Sequence, residues 1–226
     1  MNRVAQLNVE SSTWQRSAAD ERLNAATHGL GLLLAVVGAL LMAVSVLERR
    51  DTWRAIGCGV YLASLITVYA MSTLSHSAKS PRWKSLFRRL DQAFIYLLIA
   101  ATYTPFSLAY LRSAGWWALL GAIWTVAVVG FVSKLFFAHR IEAVSIASYV
   151  LLGWMPIVAA PSLMQTLPLG AFVWMLLGGA CYTIGTLFLH YDERVRHFHA
   201  VWHVCVIAGS ACHFLGILIF VVGGAG

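Results

Sequence analysis

Seven long apolar segments constrain this chain more than any other feature. Each approaches the ~20 residues that an α-helix needs to cross a bilayer, and none shows the strict alternation of a membrane-spanning strand. Only 11% of the residues are charged, against about 25% in soluble domains, so a soluble globular protein is excluded. The pattern predicts an all-α integral membrane protein with seven transmembrane helices at residues 26–47, 55–76, 91–111, 116–137, 143–161, 170–190 and 199–222.

The separators between these segments are short, which leaves no room for a second folded unit and makes consecutive helices antiparallel. Residues 1–19 are predicted to be a polar, disordered tail, with a helical lead-in from Ser17. Residues 20–226 are predicted to be a single seven-helix transmembrane domain. The four cysteines all lie inside apolar segments without a CxxC motif, so no disulfide framework is predicted.

The distribution of basic residues predicts the orientation of the bundle. Of the 16 Lys and Arg residues, 12 lie on the side of the N-terminus and the even-numbered loops, and 4 lie on the other side. The positive-inside rule therefore places the N-terminus inside and the C-terminus outside. The basic stretch Lys79–Arg89 also contains Trp83 and Phe87. This mixture favours contact with anionic lipid headgroups over nucleic-acid binding.

Eight polar side chains lie at or near the ends of the predicted spans, and the predicted topology places all of them near the inner surface. An ionisable group inside a membrane is expensive, about 2.5–3.5 kcal/mol for Asp at a helix centre, and indicates a functional site by default. The eight come from the first, second, third and seventh helices: Glu21, Asn24, His28, Ser72, His76, Asp91, His199 and His203.

Three of these residues are histidines with the chemistry of a zinc site. His199 and His203 are one helical turn apart, and His76 would approach from the second helix. Catalytic zinc sites use three protein ligands and leave one position open. A buried hydrogen-bonded network, at ~0.6 kcal/mol per interhelical bond, explains the same pattern, and spacing alone leaves both interpretations open. His213 is excluded because it lies about 15 Å deeper than His203.

The same residues carry a resemblance to a known family. The motifs are Glu21-xx-Asn24-xx-Thr27-His28-Gly29, Ser72-xxx-His76, Leu90-Asp91-Gln92-Ala93-Phe94-Ile95-Tyr96, Thr102-Tyr103-Thr104-Pro105-Phe106 and His199-Ala-Val-Trp202-His203. As a set they resemble the bacterial hemolysin III proteins of the progestin and adipoQ receptor family, whose wider superfamily includes the alkaline ceramidases. The likeness extends from about Asp20 to the C-terminus.

The resemblance implies a seven-helix bundle in the bacterial cytoplasmic membrane, with zinc near the cytoplasmic face. The implied ligands are His76, His199 and His203. Asp91 would hold a water at the metal and act as general base. Ser72 would hydrogen-bond that water or a substrate carbonyl. The first-motif residues would orient the ligands or position the helices: Glu21, Asn24 and His28.

Two functions follow as hypotheses, and a membrane lipid is the partner in both. The first is a zinc-dependent intramembrane hydrolase that cleaves a lipid amide or ester, with ceramide-like amides as the family analogy. The second is a lipid-binding or signalling module in which zinc is structural. A third possibility is the cytolytic role in the family's name. The sequence does not support this role, because it predicts neither a charged lumen nor a soluble form.

Overall fold

A computed structural model describes residues 17–137 and 142–224, which contain no strand. The helices are α1 (Ala18–Glu48), α2 (Thr52–Ser77), α3 (Pro81–Tyr110), α4 (Ala114–Phe137), α5 (Glu142–Trp154), α6 (Ala160–Thr166), α7 (Leu169–His190) and α8 (Phe198–Gly216). A 3-10 turn (Met155–Ala159) joins α5 to α6, and a π-helical turn (Ile217–Val222) extends α8. With α5 and α6 forming one segment, seven segments are long and apolar enough to span a membrane, which confirms the predicted seven-helix membrane bundle.

The first helix begins with a capping box. Asp20 donates its backbone N–H to the Ser17 hydroxyl, and the Ser17 backbone N–H donates to the Asp20 carboxylate over 2.9 Å. Two of the orphan N–H groups at the helix start are thereby satisfied. The helix therefore starts at Ala18, so residues 18 and 19 of the predicted tail are helical, whereas residues 1–16 of that tail lie outside the described residues.

The third helix is longer than its apolar segment predicts. It begins at Pro81, ten residues before the predicted start, so the stretch predicted as a loop up to Leu90 is largely helical. A hydropathy criterion detects only the part of a helix within the hydrocarbon, and a proline favours the first helical turn. The prediction that Asp91 opens this helix is therefore wrong, because Asp91 lies about three turns inside it.

The fifth segment is interrupted, because α5 ends at Trp154 and Pro156 and Pro161 lie in the first turns of the two elements that follow. Proline has no N–H for the helical ladder and clashes with the preceding turn. The two prolines therefore account for the interruption of this segment. Pro105, in contrast, lies inside α3.

Packing leaves apolar surface on the outside and buries polar groups in the interior, several of them at one end of the bundle. The most extensive contacts join α2 to α1 and α3, and α8 to α7, while α8 also contacts α1. Leu33, Leu40 and Leu47 of α1 are more than half exposed, as suits a lipid-facing surface. The beginnings of α1 and α8 meet the end of α2, which brings their buried polar residues together.

Candidate metal centre

Three histidines from two helices converge at this end of the bundle. His76 lies in the last turn of α2, and His199 and His203 lie in the first two turns of α8. One nitrogen from each ring lies within 4.8 Å of the other two. The shortest separation, 3.2 Å, joins Nε2 of His76 to Nε2 of His199. Two ligand nitrogens of a tetrahedral zinc ion are about 3.3 Å apart, given metal–nitrogen bonds of about 2.0–2.1 Å.

The Nδ1 atoms of these rings face away from the shared point and bind other residues. His76 donates from Nδ1 to Oε2 of Glu21 over 2.8 Å, and Nδ1 of His199 donates to Oδ2 of Asp192 over 2.6 Å. Carboxylates only accept, so each bond places a proton on Nδ1, and in the neutral form of the ring the Nε2 lone pair is then left for another partner. A metal-bound histidine has this arrangement, in which the outer bond orients the ring.

The third histidine reaches the same state through a hydroxyl group. Thr27 donates its hydroxyl proton to the backbone carbonyl of Asn24 over 2.9 Å. Its oxygen lies 3.0 Å from Nδ1 of His203. Because the hydroxyl has one proton, already donated to Asn24, the histidine must be the donor in this second bond. In the neutral form of the ring Nε2 of His203 is then unprotonated, and this atom is buried without a hydrogen-bond partner among the described residues.

His28 lies behind this cluster. Its ring stacks on His203, with centroids 3.5 Å apart and planes inclined by 20°, and meets the Tyr69 ring edge-on. Both of its ring nitrogens are buried without a hydrogen-bond partner among the described residues. His28 is therefore held beside the three histidines by its ring contact with His203 and not by a hydrogen bond.

The donor set fits a metal ion. Three neutral imidazoles converge through lone-pair nitrogens, which is the chemistry that zinc and several other transition ions accept. Without a cation, two such lone pairs at 3.2 Å would repel. The competing arrangement is a hydrogen-bonded pair in which His76 or His199 is protonated on both nitrogens. The three nitrogen atoms are therefore placed to accommodate a metal ion.

Asp91 and Ser72, the two residues predicted to act in catalysis, are both buried beside the histidines. Asp91 is 6% exposed and Ser72 is fully buried. Ser72 lies beside Asp91, but its hydroxyl makes no hydrogen bond of standard geometry with a described residue. A buried carboxylate is costly without charge or hydrogen-bond compensation, so this pair also has the character of a functional site.

Two cavities meet at Asp91. The polar cavity, of about 220 Å³, is lined by Glu21, His76, Lys84, Arg88, Asp91 and His199, among others. The apolar cavity, of about 100 Å³, runs from Asp91 and His28 past Leu98 and Gly179 to His213. Asp91 and Trp202 line both cavities. A molecule with a polar head and a long apolar chain matches this combination.

Sequence reasoning missed three residues that contact the cluster or a carboxylate bound to it. Asp192 lies in the loop before α8, received no role in the sequence analysis, and is 6% exposed. Thr27 lies within a quoted motif but received no role. Lys84 forms an ion pair with Glu21 at 3.2 Å. A carboxylate just before a helix that carries two candidate ligands could have indicated Asp192, whereas no sequence pattern singles out Thr27 or Lys84.

Fold and site together define a class: a seven-helix integral membrane protein with a three-histidine cluster able to hold a metal ion near one surface. The chain matches the haemolysin-III-related family over residues 16–214, and it belongs to that family. This membership confirms the resemblance to hemolysin III proteins found in the sequence.

Curated relatives extend over most of the chain. It is 37% identical to Hemolysin-3 of Bacillus cereus, covering 90% of this chain and 92% of that protein. It is 34% identical to the Hemolysin-3 homolog of Bacillus subtilis (strain 168), with 90% and 95% covered. The human monocyte to macrophage differentiation factor is 29% identical, with 86% and 81% covered. No solved structure shows significant similarity to this chain.

Proposed function

We propose that this protein is a zinc-dependent intramembrane hydrolase that cleaves an amide or ester bond of a membrane lipid. The observation that carries the proposal is the position of Asp91. This buried carboxylate lies beside Ser72, lines the polar cavity together with His76 and His199, and also lines the apolar cavity. A carboxylate between a candidate metal centre and an apolar cavity suits the hydrolysis of a lipid.

Each residue has a role in this proposal. His76, His199 and His203 hold zinc through Nε2, which supplies Lewis-acid activation of a water and of a carbonyl when the ion is bound. Asp91 accepts a proton from the attacking water and returns it to the leaving nitrogen or oxygen, so the protons balance. Ser72 donates a hydrogen bond to the carbonyl oxygen or the water. Three protein ligands leave the open position that a catalytic site needs.

The residues that bind Nδ1 of a ligand histidine, or stack on its ring, orient or support that ligand in this proposal. Glu21 and Asp192 orient His76 and His199, and Thr27 orients His203 through a hydroxyl group that Asn24 fixes. His28 supports His203 by stacking. Such outer contacts typically change metal affinity by about 10- to 100-fold when removed.

The substrate class follows from the two cavities. The apolar cavity accepts an acyl chain, and the polar cavity accepts the headgroup beside the histidines. A molecule that already partitions into the bilayer can enter from the side without passing through water. Ceramide-like amides are the first candidates by family analogy.

The surrounding membrane is proposed to be the bacterial cytoplasmic membrane, with this end of the bundle on the cytoplasmic side. The first turns of α3 expose Arg82, Arg88 and Arg89, and the half-exposed Trp83 stacks on Phe87. Cations and an aromatic ring on one helix end suit contact with anionic headgroups.

The decisive experiment measures fatty acid released from ceramides, acyl amides and phospholipids by purified protein in lipid. Asp91→Asn preserves shape but removes the proton acceptor, so turnover should fall by about 10²–10⁴-fold while bound metal is retained. Glu48→Gln, which alters an exposed carboxylate at the opposite end of α1, is the matched control and should hydrolyse normally.

The alternative is a lipid-binding module in which the metal is structural. Equal fatty-acid release by wild type and Asp91→Asn, or no release above a metal-stripped sample on any lipid, would sink the hydrolase and favour this module.

A further inference from the structure

A second polar feature lies at the deep end of the apolar cavity, away from the histidine cluster. His213 of α8 lines this end together with Thr183 of α7 and Tyr103 of α3. It is 3% exposed, and its ring stacks on Tyr182 with centroids 5.5 Å apart. One face of the ring packs on Gly178, where any side chain would collide with the ring.

Hydroxyl groups around the deep end already have hydrogen-bond partners. They donate to backbone carbonyls, or share a bond with another side chain, inside the bundle: Thr102 with Leu98, Tyr103 with Gly153, Thr183 with Gly179, and Tyr182 with Ser210. The Thr183 oxygen also accepts from Nε1 of Trp154 over 2.9 Å. These hydroxyl groups therefore have hydrogen-bond partners without a ligand in the cavity.

His213 differs from its neighbours. Its Nδ1 is buried without a hydrogen-bond partner among the residues that the structure describes. Nε2 also makes no hydrogen bond with a described residue, and it is not enclosed in the same way, so Nε2 is the nitrogen available to a bound molecule. Burying a polar ring without partners costs free energy. A ligand oxygen that bonds to Nε2 would offset part of this cost.

We propose that His213 is a hydrogen-bonding subsite for a hydroxyl or keto oxygen carried part-way along the lipid chain in the apolar cavity. The inference rests on the proposed function only in placing the lipid headgroup at the three-histidine cluster. It narrows the ligand to lipids whose chains carry an oxygen substituent.

Helix geometry sets the position of that substituent. His213 is ten residues beyond His203, or about 15 Å along α8. An extended chain gains about 1.2 Å per bond, so the oxygen lies roughly a dozen bonds from the headgroup end. Substituents next to the carboxyl group would lie too far from His213.

The test compares three acids that differ only in the substituent: octadecanoic, 2-hydroxyoctadecanoic and 12-hydroxyoctadecanoic acid. Each displaces a fluorescent fatty acid from purified protein in detergent micelles. The two hydroxy acids have the same composition, so partitioning into the micelle is nearly matched. Wild type should bind the 12-hydroxy acid roughly 5- to 100-fold more tightly than the 2-hydroxy isomer, given the cost of an unpaired buried group.

Two variants assign that preference to the histidine. His213→Leu should lose the preference while it still binds octadecanoic acid, and His213→Gln, which retains a hydrogen-bonding side chain, should keep most of it. A wild-type protein that treats the isomers alike, that binds none of the acids, or whose preference survives in His213→Leu would overturn the inference.

Displacement needs no turnover, so the result is independent of hydrolysis. A preference without hydrolysis would support the subsite and leave the hydrolase proposal to its own test. Hydrolysis without a preference would sink the subsite alone.

Discussion

His199 donates a 2.6 Å hydrogen bond from Nδ1 to Oδ2 of Asp192, a residue seven positions earlier in the chain. Asp192 lies in the turn between α7 and α8 and is 6% exposed. The bond fixes the His199 ring so that Nε2 faces His76. A loop carboxylate thus controls which nitrogen a helical histidine offers to the candidate metal centre.

Replacing Asp192 tests this control. Asp192→Asn removes the negative charge behind His199 and should weaken metal affinity by about 10- to 100-fold. Metal affinity is measured by competition with a chromophoric chelator. Glu193→Gln is the matched control, because Glu193 is adjacent but exposed, and its affinity should equal wild type. Equal affinities for both variants would remove Asp192 from the site.

Each of the three histidines should be needed for metal retention. His76→Ala, His199→Ala and His203→Ala should each deplete bound metal, because three ligands already leave one position open. His213→Ala should retain it, since His213 is not part of the histidine cluster. Elemental analysis of the purified variants gives the answer, and equal metal content in all four would favour the hydrogen-bonded histidine pair.

Ser72 should affect turnover more weakly than Asp91. Ser72→Ala removes one hydrogen-bond donor but no proton acceptor, so metal should stay bound and lipid turnover should fall less than in Asp91→Asn. The loss of one hydrogen bond, about 0.5–1.5 kcal/mol, corresponds to a few-fold to roughly tenfold. The measurement is fatty-acid release under identical conditions, and a loss as large as that of Asp91→Asn would contradict this order.

The close approach of α2 and α3 depends on Gly57. A Cβ there would lie 2.8 Å from Cα of Pro105, and backbone cannot move aside as a flexible side chain can. Gly57→Ala should therefore destabilise the bundle by about 1–3 kcal/mol. Gly59 of the same helix has open space around it. Gly59→Ala should therefore be neutral or slightly stabilising in thermal unfolding, and equal melting of both variants would contradict the packing argument.

The predicted orientation places the histidine cluster on the cytoplasmic side. A reporter fused after Gly226 should lie outside the cytoplasm, and one inserted at Lys79, between α2 and α3, should lie inside. The reason is the 12-to-4 distribution of Lys and Arg. Reporter activity on the same side for both fusions would break the seven-span topology.

The sequence by itself determined the seven spans and the presence of a polar cluster. Transfer of a side chain into a bilayer is a local property that sums along the chain, so hydropathy finds the helices. Helix periodicity also places His199 and His203 on one face. Spacing alone does not single out His76 as their neighbour. The predicted topology placed it at the same depth, and the family resemblance implied the same assignment.

Only the tertiary structure decided how the histidines are held. Thr27 and His203 are separated by 176 positions in sequence, and Glu21 and His76 by 55, so no local pattern pairs them. Hydropathy also did not predict the start of α3 at Pro81, because a helix that lies in the membrane interface can be strongly basic. Hydrogen-bond partners depend on how each helix is rotated and which rotamers its neighbours allow, and these are settled only when the bundle packs.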